Sequence, residues 1–213
     1  LINIRKIPLD NYANAFLKRT MDFLGALFLL ILCSPILLAA AIGVKLTSPG
    51  PVIFKQERVG LNKELFTMYK FRSMVVNDQS NTAWSTNEDP RKTKFGAFIR
   101  KFSIDELPQL YNVLKGDMSL VGPRPELPYF VENFQKSVPL YMVKHQVKPG
   151  ITGLAQVKGY RGDTSIPKRI EWDVYYIENW SLFLDIKILF MTVFKGLRNE
   201  EVLPVSEEKK KEK

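Results

Sequence analysis

The residues with the clearest potential for chemistry are two adjacent carboxylates, Asp105 and Glu106, in the stretch RKFSIDELPQLYNVLKGDMSLVGPRPE. Arg100 comes shortly before them, and Arg124 follows in a Gly-Pro-Arg-Pro sequence whose prolines stiffen the loop that carries the guanidinium. Guanidiniums neutralise phosphate oxygens, and a carboxylate can bind Mg²⁺ or attack phosphorus. This combination of residues suits magnesium-assisted phosphoryl transfer.

A purely structural role also explains the two acids. Ser103 and Glu106 have the spacing of a capping box, and acidic residues at a helix N-terminus complement the helix dipole. Pro108 is favoured in a first helical turn, so the start of the helix stays open between Ser103 and Leu107. Local sequence alone favours capping. The arginines and a neighbouring apolar segment favour the chemical role.

The scarcity of histidine and cysteine narrows the chemistry further. The 213 residues include one histidine, His145, and one cysteine, Cys33. This chain alone therefore supplies no disulfide framework, structural zinc site or two-histidine metal site, and a Ser-His-Asp triad would have to use His145. A hydrophobic fraction of 46% and a charged fraction of 25% exclude a wholly disordered or low-complexity chain.

The apolar segment is the 22-residue uncharged stretch FLGALFLLILCSPILLAAAIGV, residues 23–44. A straight helix of this length would measure about 33 Å, close to the thickness of a bilayer's hydrocarbon core. A signal peptide fits poorly, because the stretch is long and runs into TSPGP instead of a small-residue cleavage site. A buried core helix is the alternative to a membrane helix.

Ser34 and Pro35 stand at the middle of this segment. Proline removes a backbone donor and kinks or breaks a helix, which leaves two halves too short to span a bilayer. Lysine and arginine also lie on both sides of the segment, and this favours two cytoplasmic ends. We therefore expect a re-entrant membrane helix-break-helix, with a kinked single span as the alternative.

The rest of the sequence predicts an α+β fold that is mostly helical and contains a short β-hairpin. The hairpin consists of VIFKQERV and LFTMYKF on either side of residues 60–63. We expect irregular chain or breaks at residues 78–91, 121–128 and 148–153, and helices at residues 95–100, 107–114, 129–145 and 171–197. The last helix carries an aromatic stripe typical of interfacial amphipathic helices or of core packing.

These elements divide the chain into three parts. We expect residues 1–46 to form an interfacial lead-in and the re-entrant helix, residues 47–200 a catalytic domain on the cytoplasmic face, and residues 201–213 a charged, disordered tail.

The net charge of +9 has a local origin. Residues 45–101 contain 11 Lys and Arg against 5 Asp and Glu, which accounts for +6 of the total. Such a region attracts anionic headgroups and phosphorylated ligands, although a solvated basic face is the simpler alternative. We expect no nucleic-acid partner, because the charges are spread through strand-like sequence without a nucleic-acid-binding motif.

The chain resembles the bacterial sugar transferases, which are monotopic polyprenyl-phosphate glycosyl-1-phosphate transferases. The resemblance covers residues 16–198 and is carried by KRTMDFLGALFLLILCSPILL, TSPGPVIFKQERVG, FTMYKFRSM, SIDELPQLYNVLKGDMSLVGPRPE, KPGITGLAQV and DVYYIENWSLFLDIKIL. The family often has Trp at the position of Leu154, which bears on local packing only.

The resemblance implies transfer of sugar-1-phosphate from a UDP-sugar to undecaprenyl phosphate, with release of UMP and Mg²⁺ as cofactor. It implies that Asp105 is the nucleophile, and that Glu106 binds the metal or orients Asp105. The implied phosphate-binding residues are Arg124, Arg100 and Arg161. The basic motif YKFRSM adds Lys70 and Arg72, although these two could equally be charges on the surface of a strand. UDP-glucose is favoured over UDP-galactose.

The resemblance further implies a place at the bacterial cytoplasmic membrane, where the re-entrant helix keeps the active site on the cytoplasmic face at the level of the headgroups. We allow for a homo-oligomer. Because the chain opens with LINIRKIPLDNY and no initiator Met, we also expect it to be part of a longer protein. Two other functions stay open: a membrane-anchored binding or scaffold protein without turnover, and a hydrolase that uses the same carboxylates with water as acceptor.

Overall fold

The computed structural model describes residues 7–75, 91–162 and 164–196. The predicted polar loop at 78–91, apart from its last residue, and the predicted tail at 201–213 lie outside these ranges. The described helices are α1 Tyr12–Leu32, α2 Ser34–Thr47, α3 Lys94–Lys101, α4 Gln109–Lys115, α5 Pro128–Ser137, α6 Leu154–Val157, α7 Ile166–Glu178 and α8 Leu182–Gly196. The described strands are β1 Ile53–Val59, β2 Leu65–Phe71, β3 Ser119–Val121 and β4 Gly150–Thr152. The chain is mostly helical and contains two short sheets, which confirms the predicted α+β fold class.

The apolar segment forms two helices that meet at a sharp bend. α1 ends at Leu32, α2 begins at Ser34, and their axes differ by 63°. Pro35 lies in the first turn of α2, where its missing N–H costs nothing. In a continuous helix a backbone N–H at position 35 would donate to the carbonyl of Ile31. That carbonyl accepts from Ser34 Oγ at 2.8 Å. The predicted helix-break-helix is therefore confirmed as a backbone geometry.

Within the described residues, no single helix is long and apolar enough to cross a membrane, whereas α1 and α2 together meet that criterion as a bent pair. Many of their apolar side chains are exposed, including Phe28, Ile31, Leu38 and Ile42.

Polar side chains fasten α1 to the rest of the fold. Lys18 Nζ, which is buried, donates to Asp185 Oδ2 of α8 at 2.7 Å and to the carbonyl of Val121 in β3 at 3.0 Å. Asp22 Oδ1 accepts from Ser119 Oγ at 3.0 Å and from a backbone N–H of β3. Loss of one partner of a buried ion pair strongly destabilises the folded chain, so these contacts fix how α1 meets the core.

The β-hairpin is confirmed. β1 and β2 are antiparallel, with Ile53 opposite Phe71 and Val59 opposite Leu65. Asn62 and Lys63 have φ values of 51° and 65°, and together with Gly60 they reverse the chain. The hairpin packs on α4, because Asn112 Oδ1 accepts from the N–H of Tyr69 at 3.1 Å and its Nδ2 donates to a carbonyl of the same strand.

A second sheet overlaps two segments that we expected to be irregular. β3 and β4 pair in parallel, with Ser119 opposite Gly150 and Val121 opposite Thr152. The prediction of irregular chain is therefore wrong at Val121 and at residues 150–152, whereas residues 122–127 contain neither helix nor strand, as predicted. Each strand is three residues long, lies close to glycine and proline in the sequence, and pairs within the core. Neither strand therefore shows the alternation of apolar and polar residues that reveals a longer strand.

Two predicted helices are broken. The helix expected over 129–145 ends at Ser137, and a 3₁₀ helix, Tyr141–Gln146, follows after Leu140 at a φ of 61°. The helix expected over 171–197 is divided into α7 and α8 by residues 179–181. At that break Trp180 turns inward and its Nε1 donates to Asp185 Oδ2 at 3.0 Å. Apolar periodicity continues across both breaks and hides them.

Candidate active site

The hairpin forms one wall of a cavity of about 370 Å³. Side chains alternate between the faces of a strand, so Phe54, Gln56 and Arg58 share one face of β1. Phe54 is paired with Lys70 in β2, and paired residues share a face. All four line the cavity, together with Asp105.

Asp105 and Glu106 lie in a short 3₁₀ helix, Ile104–Glu106, between α3 and α4. Ser103, which precedes it, has a left-handed conformation at φ 55° and its side chain makes no capping hydrogen bond. The Glu106 carboxylate instead binds side chains of other elements. The capping-box interpretation is therefore wrong, because both of its side chains would have to bond to backbone N–H groups at the helix start.

Glu106 is the centre of an ion-pair network. Its Oε1 accepts hydrogen bonds from Lys70 Nζ at 2.8 Å and from Arg124 Nη2 at 2.9 Å. Burial acts to raise the pKa of the Glu106 carboxyl, but Arg124 and Lys70 together hold it well below its usual range. Glu106 is thus a permanent anion that holds two cations at the edge of the cavity.

Asp105 has a different environment from its neighbour. It is 6% exposed, and its carboxylate accepts no hydrogen bond from any residue in the described parts of the chain. Burial and the adjacent Glu106 raise the pKa of Asp105 to about 6, against the opposing effect of Lys70 and the nearby arginines. Near neutral pH its carboxylate is therefore mostly ionised and desolvated, and it has no hydrogen-bond donor among the described residues.

The turn that carries Arg124 is fixed by the small parallel sheet. Gly122 N–H donates to the carbonyl of Thr152 and Gly150 N–H donates to that of Pro123, both at 2.9 Å. A Cβ at Gly122 would collide with the backbone of residues 148–150, so only glycine fits this close approach. The turn thereby presents the Arg124 guanidinium to Glu106 and the cavity.

The other predicted phosphate-binding residues are placed differently. Arg100 lines the cavity with Arg124 and Lys70. Arg161 lies in the chain between α6 and α7, outside the cavity lining, although the adjacent Gly162 belongs to that lining. Lys70 is half-buried at the site and is not a strand-surface charge, because its ammonium bonds Glu106.

Arg72 lines the cavity, but its guanidinium is already engaged. Nη1 donates to the carbonyl of Pro49 and Nη2 to the carbonyl of Ser48, both at 2.7 Å, and Nη2 also contacts Ser48 Oγ at 2.9 Å. Arg72 therefore fastens the chain that leaves α2 to the hairpin.

The cavity residues that the sequence analysis missed include Arg58, Glu126 and Arg169. Arg169 Nη1 donates to Glu126 Oε1 at 2.9 Å, and Arg58 Nη1 lies 3.9 Å from Glu126 Oε2. The period-two alternation of the predicted hairpin would have placed Arg58 on the face of Lys70. Glu126 and Arg169 carried no comparable signal, because a single acid after a turn and a single arginine in a helix are common.

The carboxylates of this site suit Mg²⁺ only if a substrate supplies further oxygen ligands. No group of three or more His, Cys, Asp or Glu side chains within the described ranges could hold a metal ion. Asp105 and Glu106 offer two adjacent carboxylates, of which only Glu106 Oε1 is occupied by hydrogen bonds. Because Mg²⁺ is commonly bound by one or two carboxylates completed by phosphate oxygens and water, these residues fit the ion.

Sequence comparisons identify relatives of this chain. The bacterial sugar transferase family model matches residues 13–199. The chain is 50% identical over 193 residues to the UDP-glucose:undecaprenyl-phosphate glucose-1-phosphate transferase of Escherichia coli K12, covering 88% of this chain and 41% of that protein. It is 52% identical over 182 residues to the UDP-N-acetylgalactosamine-undecaprenyl-phosphate N-acetylgalactosaminephosphotransferase of Aeromonas hydrophila, covering 84% and 43%.

A shorter relative is matched over most of its length. This is the UDP-glucose:undecaprenyl-phosphate glucose-1-phosphate transferase of Caulobacter vibrioides, 44% identical over 191 residues, or 87% of this chain and 72% of that protein. The chain spans less than half the length of the Escherichia and Aeromonas relatives. The match extends over nearly the whole described fold, including the cavity. The chain belongs to the bacterial sugar transferase family.

Proposed function

We propose that this chain transfers sugar-1-phosphate from a UDP-sugar to undecaprenyl phosphate and releases UMP, as a first membrane step of capsule, exopolysaccharide or O-antigen synthesis. UDP-glucose is the preferred donor, with UDP-galactose as the alternative. Two relatives of similar identity have names that specify glucose and N-acetylgalactosamine, so overall identity does not decide the sugar.

The observation that carries this proposal is the contrast between the two neighbouring carboxylates. Glu106 is bound by two cations, whereas Asp105 accepts no hydrogen bond from the described residues and lines the same cavity. A desolvated carboxylate among phosphate-binding cations is placed to attack phosphorus.

The proposed reaction has two steps. Asp105 attacks the β-phosphorus of the donor, the bond to the bridging oxygen breaks, and UMP leaves with that oxygen. A phosphate oxygen of undecaprenyl phosphate then attacks the same phosphorus, and the Asp105 carboxylate departs. Dividing the displacement in this way means that two bulky phosphates need never be aligned with each other at once.

Cationic side chains would neutralise the negative charge on the phosphate oxygens during both steps. Lys70, Arg100 and Arg124 line the cavity near Asp105 and would neutralise the diphosphate oxygens. Burial lowers the pKa of the Lys70 ammonium, and the ion pair with Glu106 opposes that effect. Arg161 is also proposed to bind phosphate, which would require the chain around Gly162 to approach the donor.

Asp105 and Glu106 are the proposed ligands of Mg²⁺. The ion would supply positive charge beside the leaving phosphate. Glu106 has a second role that needs no metal, because its two ion pairs orient Lys70 and Arg124 toward the donor.

We further propose that α1 and α2 form a re-entrant hairpin in the cytoplasmic membrane, with both ends on the cytoplasmic side. The bend at Pro35 and the exposed apolar surface of the pair support this topology. α3 and α8 also expose aromatic side chains, among them Phe98 and Phe190, as interfacial amphipathic helices do. The active site would then lie at the level of a lipid phosphate.

Assaying UMP release tests the proposal. The detergent-solubilised chain is incubated with a UDP-sugar, Mg²⁺ and undecaprenyl phosphate, alongside Asp105→Asn and the control Glu57→Gln, which changes an exposed acid on the outer face of β1. We expect lipid-linked product from the unchanged chain and from the control only. A chain that binds UDP-sugar without turnover would indicate a scaffold protein, and release of free sugar phosphate without lipid would indicate a hydrolase.

A further inference from the structure

Two groups of side chains line the cavity, each around one carboxylate. We call Asp105 and its electrostatic neighbours Lys70, Arg100 and Arg124 the Asp105 end. We call Glu126, its neighbours Arg58 and Arg169, and Gln56, which bonds Arg58, the Glu126 end; nothing in the proposed phosphoryl transfer uses Glu126. The electrostatic neighbours of Arg58 include both Glu106 and Glu126, so Arg58 connects the two ends.

One oxygen of Glu126 is available to a ligand. The side chain is 8% exposed, and Oε1 accepts from Arg169 Nη1 at 2.9 Å. Oε2 accepts no hydrogen bond from the described residues, since Arg58 Nη1 at 3.9 Å is beyond hydrogen-bond distance. A desolvated carboxylate oxygen that faces a cavity without a donor is costly unless a ligand or water donates to it.

The charge of Glu126 excludes phosphate as its ligand. Burial acts to raise the pKa of this carboxyl, but Lys144, Arg169 and Arg58 hold it below its usual range. An anion repels a diphosphate and accepts strongly from hydroxyl groups. The aromatic rings of Phe54 and Phe130 lie in the same lining and offer apolar surface to a ring.

We propose that the Glu126 end of the cavity binds hydroxyl groups of a sugar ring, with Glu126 Oε2 as the acceptor. The inference rests on the proposed nucleotide-sugar donor, which contains two such rings: the ribose of the nucleotide and the transferred hexose. Phosphates at the Asp105 end would place one of these rings beside Glu126.

A structural role for Glu126 is the competing explanation. Arg169 donates to Glu126 with Nη1 and to the carbonyl of Gly162 at 2.8 Å with Nη2. The N–H of Val59 donates to the Glu126 carbonyl at 3.0 Å. Loss of the side-chain bond between Arg169 and Glu126 would weaken binding of every ligand to the same extent, whereas loss of a hydroxyl acceptor would weaken only ligands that carry that hydroxyl.

Equilibrium binding separates these explanations. Dissociation constants are measured by calorimetry for UDP, 2′,3′-dideoxy-UDP and UDP-glucose, in the Asp105→Asn background so that no turnover consumes the ligand. Glu126→Gln is compared with the matched control Glu57→Gln. Glu126→Asp, which keeps the charge but withdraws the oxygens, serves as a second variant if the glutamine variant does not fold.

We expect selective weakening by about five- to tenfold, the loss when a charged acceptor becomes neutral. Ribose binding predicts that Glu126→Gln weakens UDP but not 2′,3′-dideoxy-UDP, and hexose binding predicts that it weakens UDP-glucose but not UDP. Equal weakening of all three ligands, or of none, overturns the inference. If the weakening is selective but the chain with Asp105 intact releases no UMP, the proposed reaction is refuted and this inference stands.

Discussion

Replacing Glu106 by glutamine should destabilise the folded chain and change the acid response of its activity. Glu106 Oε1 accepts from Lys70 Nζ and Arg124 Nη2 at 2.8 and 2.9 Å. Glutamine keeps an acceptor oxygen and loses the charge, so each bond falls from about 1.5–3 kcal/mol to about 1 kcal/mol. The two bonds together lose about 2 kcal/mol of unfolding free energy.

The same substitution should lower the pKa of Asp105, because it removes the like charge that helps raise that value. The acidic limb of the rate profile should therefore move to lower pH while the maximal rate drops. Denaturant unfolding in detergent measures the stability change, with Glu57→Gln as a control expected to change it by less than about 0.5 kcal/mol. Unchanged stability together with an unmoved acidic limb would refute the ion-pair network as the source of both properties.

Three further outcomes are expected. Because protonation of Asp105 at a pKa of about 6 removes the nucleophile, kcat/KM for the UDP-sugar should fall about tenfold per pH unit below that value, and a flat profile down to pH 5 would contradict this role. Pro35→Ala should straighten the bend between α1 and α2 and shift the two ends of this helix pair toward opposite sides of the membrane. Labelling of introduced cysteines in a chain without Cys33 measures this shift. Asp185→Ala should cost about 3–5 kcal/mol of unfolding free energy, because Lys18 stays buried without its partner, and a loss below about 1 kcal/mol would show that the pair is dispensable.

Local patterns in the sequence predicted those elements that local physics specifies. The hairpin follows from two strand-like runs around a turn, and the break at Ser34 and Pro35 follows from the missing backbone donor. Gly116 ends α4 with a φ of 101°, as a helix-terminating glycine does. These features depend on residues close to one another in sequence.

The failures arise where distant contacts decide the conformation. β3 is paired only through β4, about thirty residues later, and the break before α8 depends on the bond between Trp180 and Asp185. Apolar periodicity specifies that a face is buried but not where a helix stops.

The candidate site shows the same division. Asp105 and Glu106 were identifiable as a pair, but their different environments come from Lys70 on the hairpin and Arg124 on the turn after β3. Lys70 was ambiguous between strand surface and site because its partner is 36 residues away.

The central claim, that Asp105 carries the phosphosugar, is tested most directly by rapid-quench measurement of UMP release without lipid. The chain, Mg²⁺ and a UDP-sugar that supports turnover are mixed without undecaprenyl phosphate. We expect a burst of about one UMP per active site, no burst from Asp105→Asn, and parallel double-reciprocal plots once lipid is added. UMP that appears only when lipid is present, with intersecting plots, would contradict it and would leave Asp105 as a metal ligand or a base.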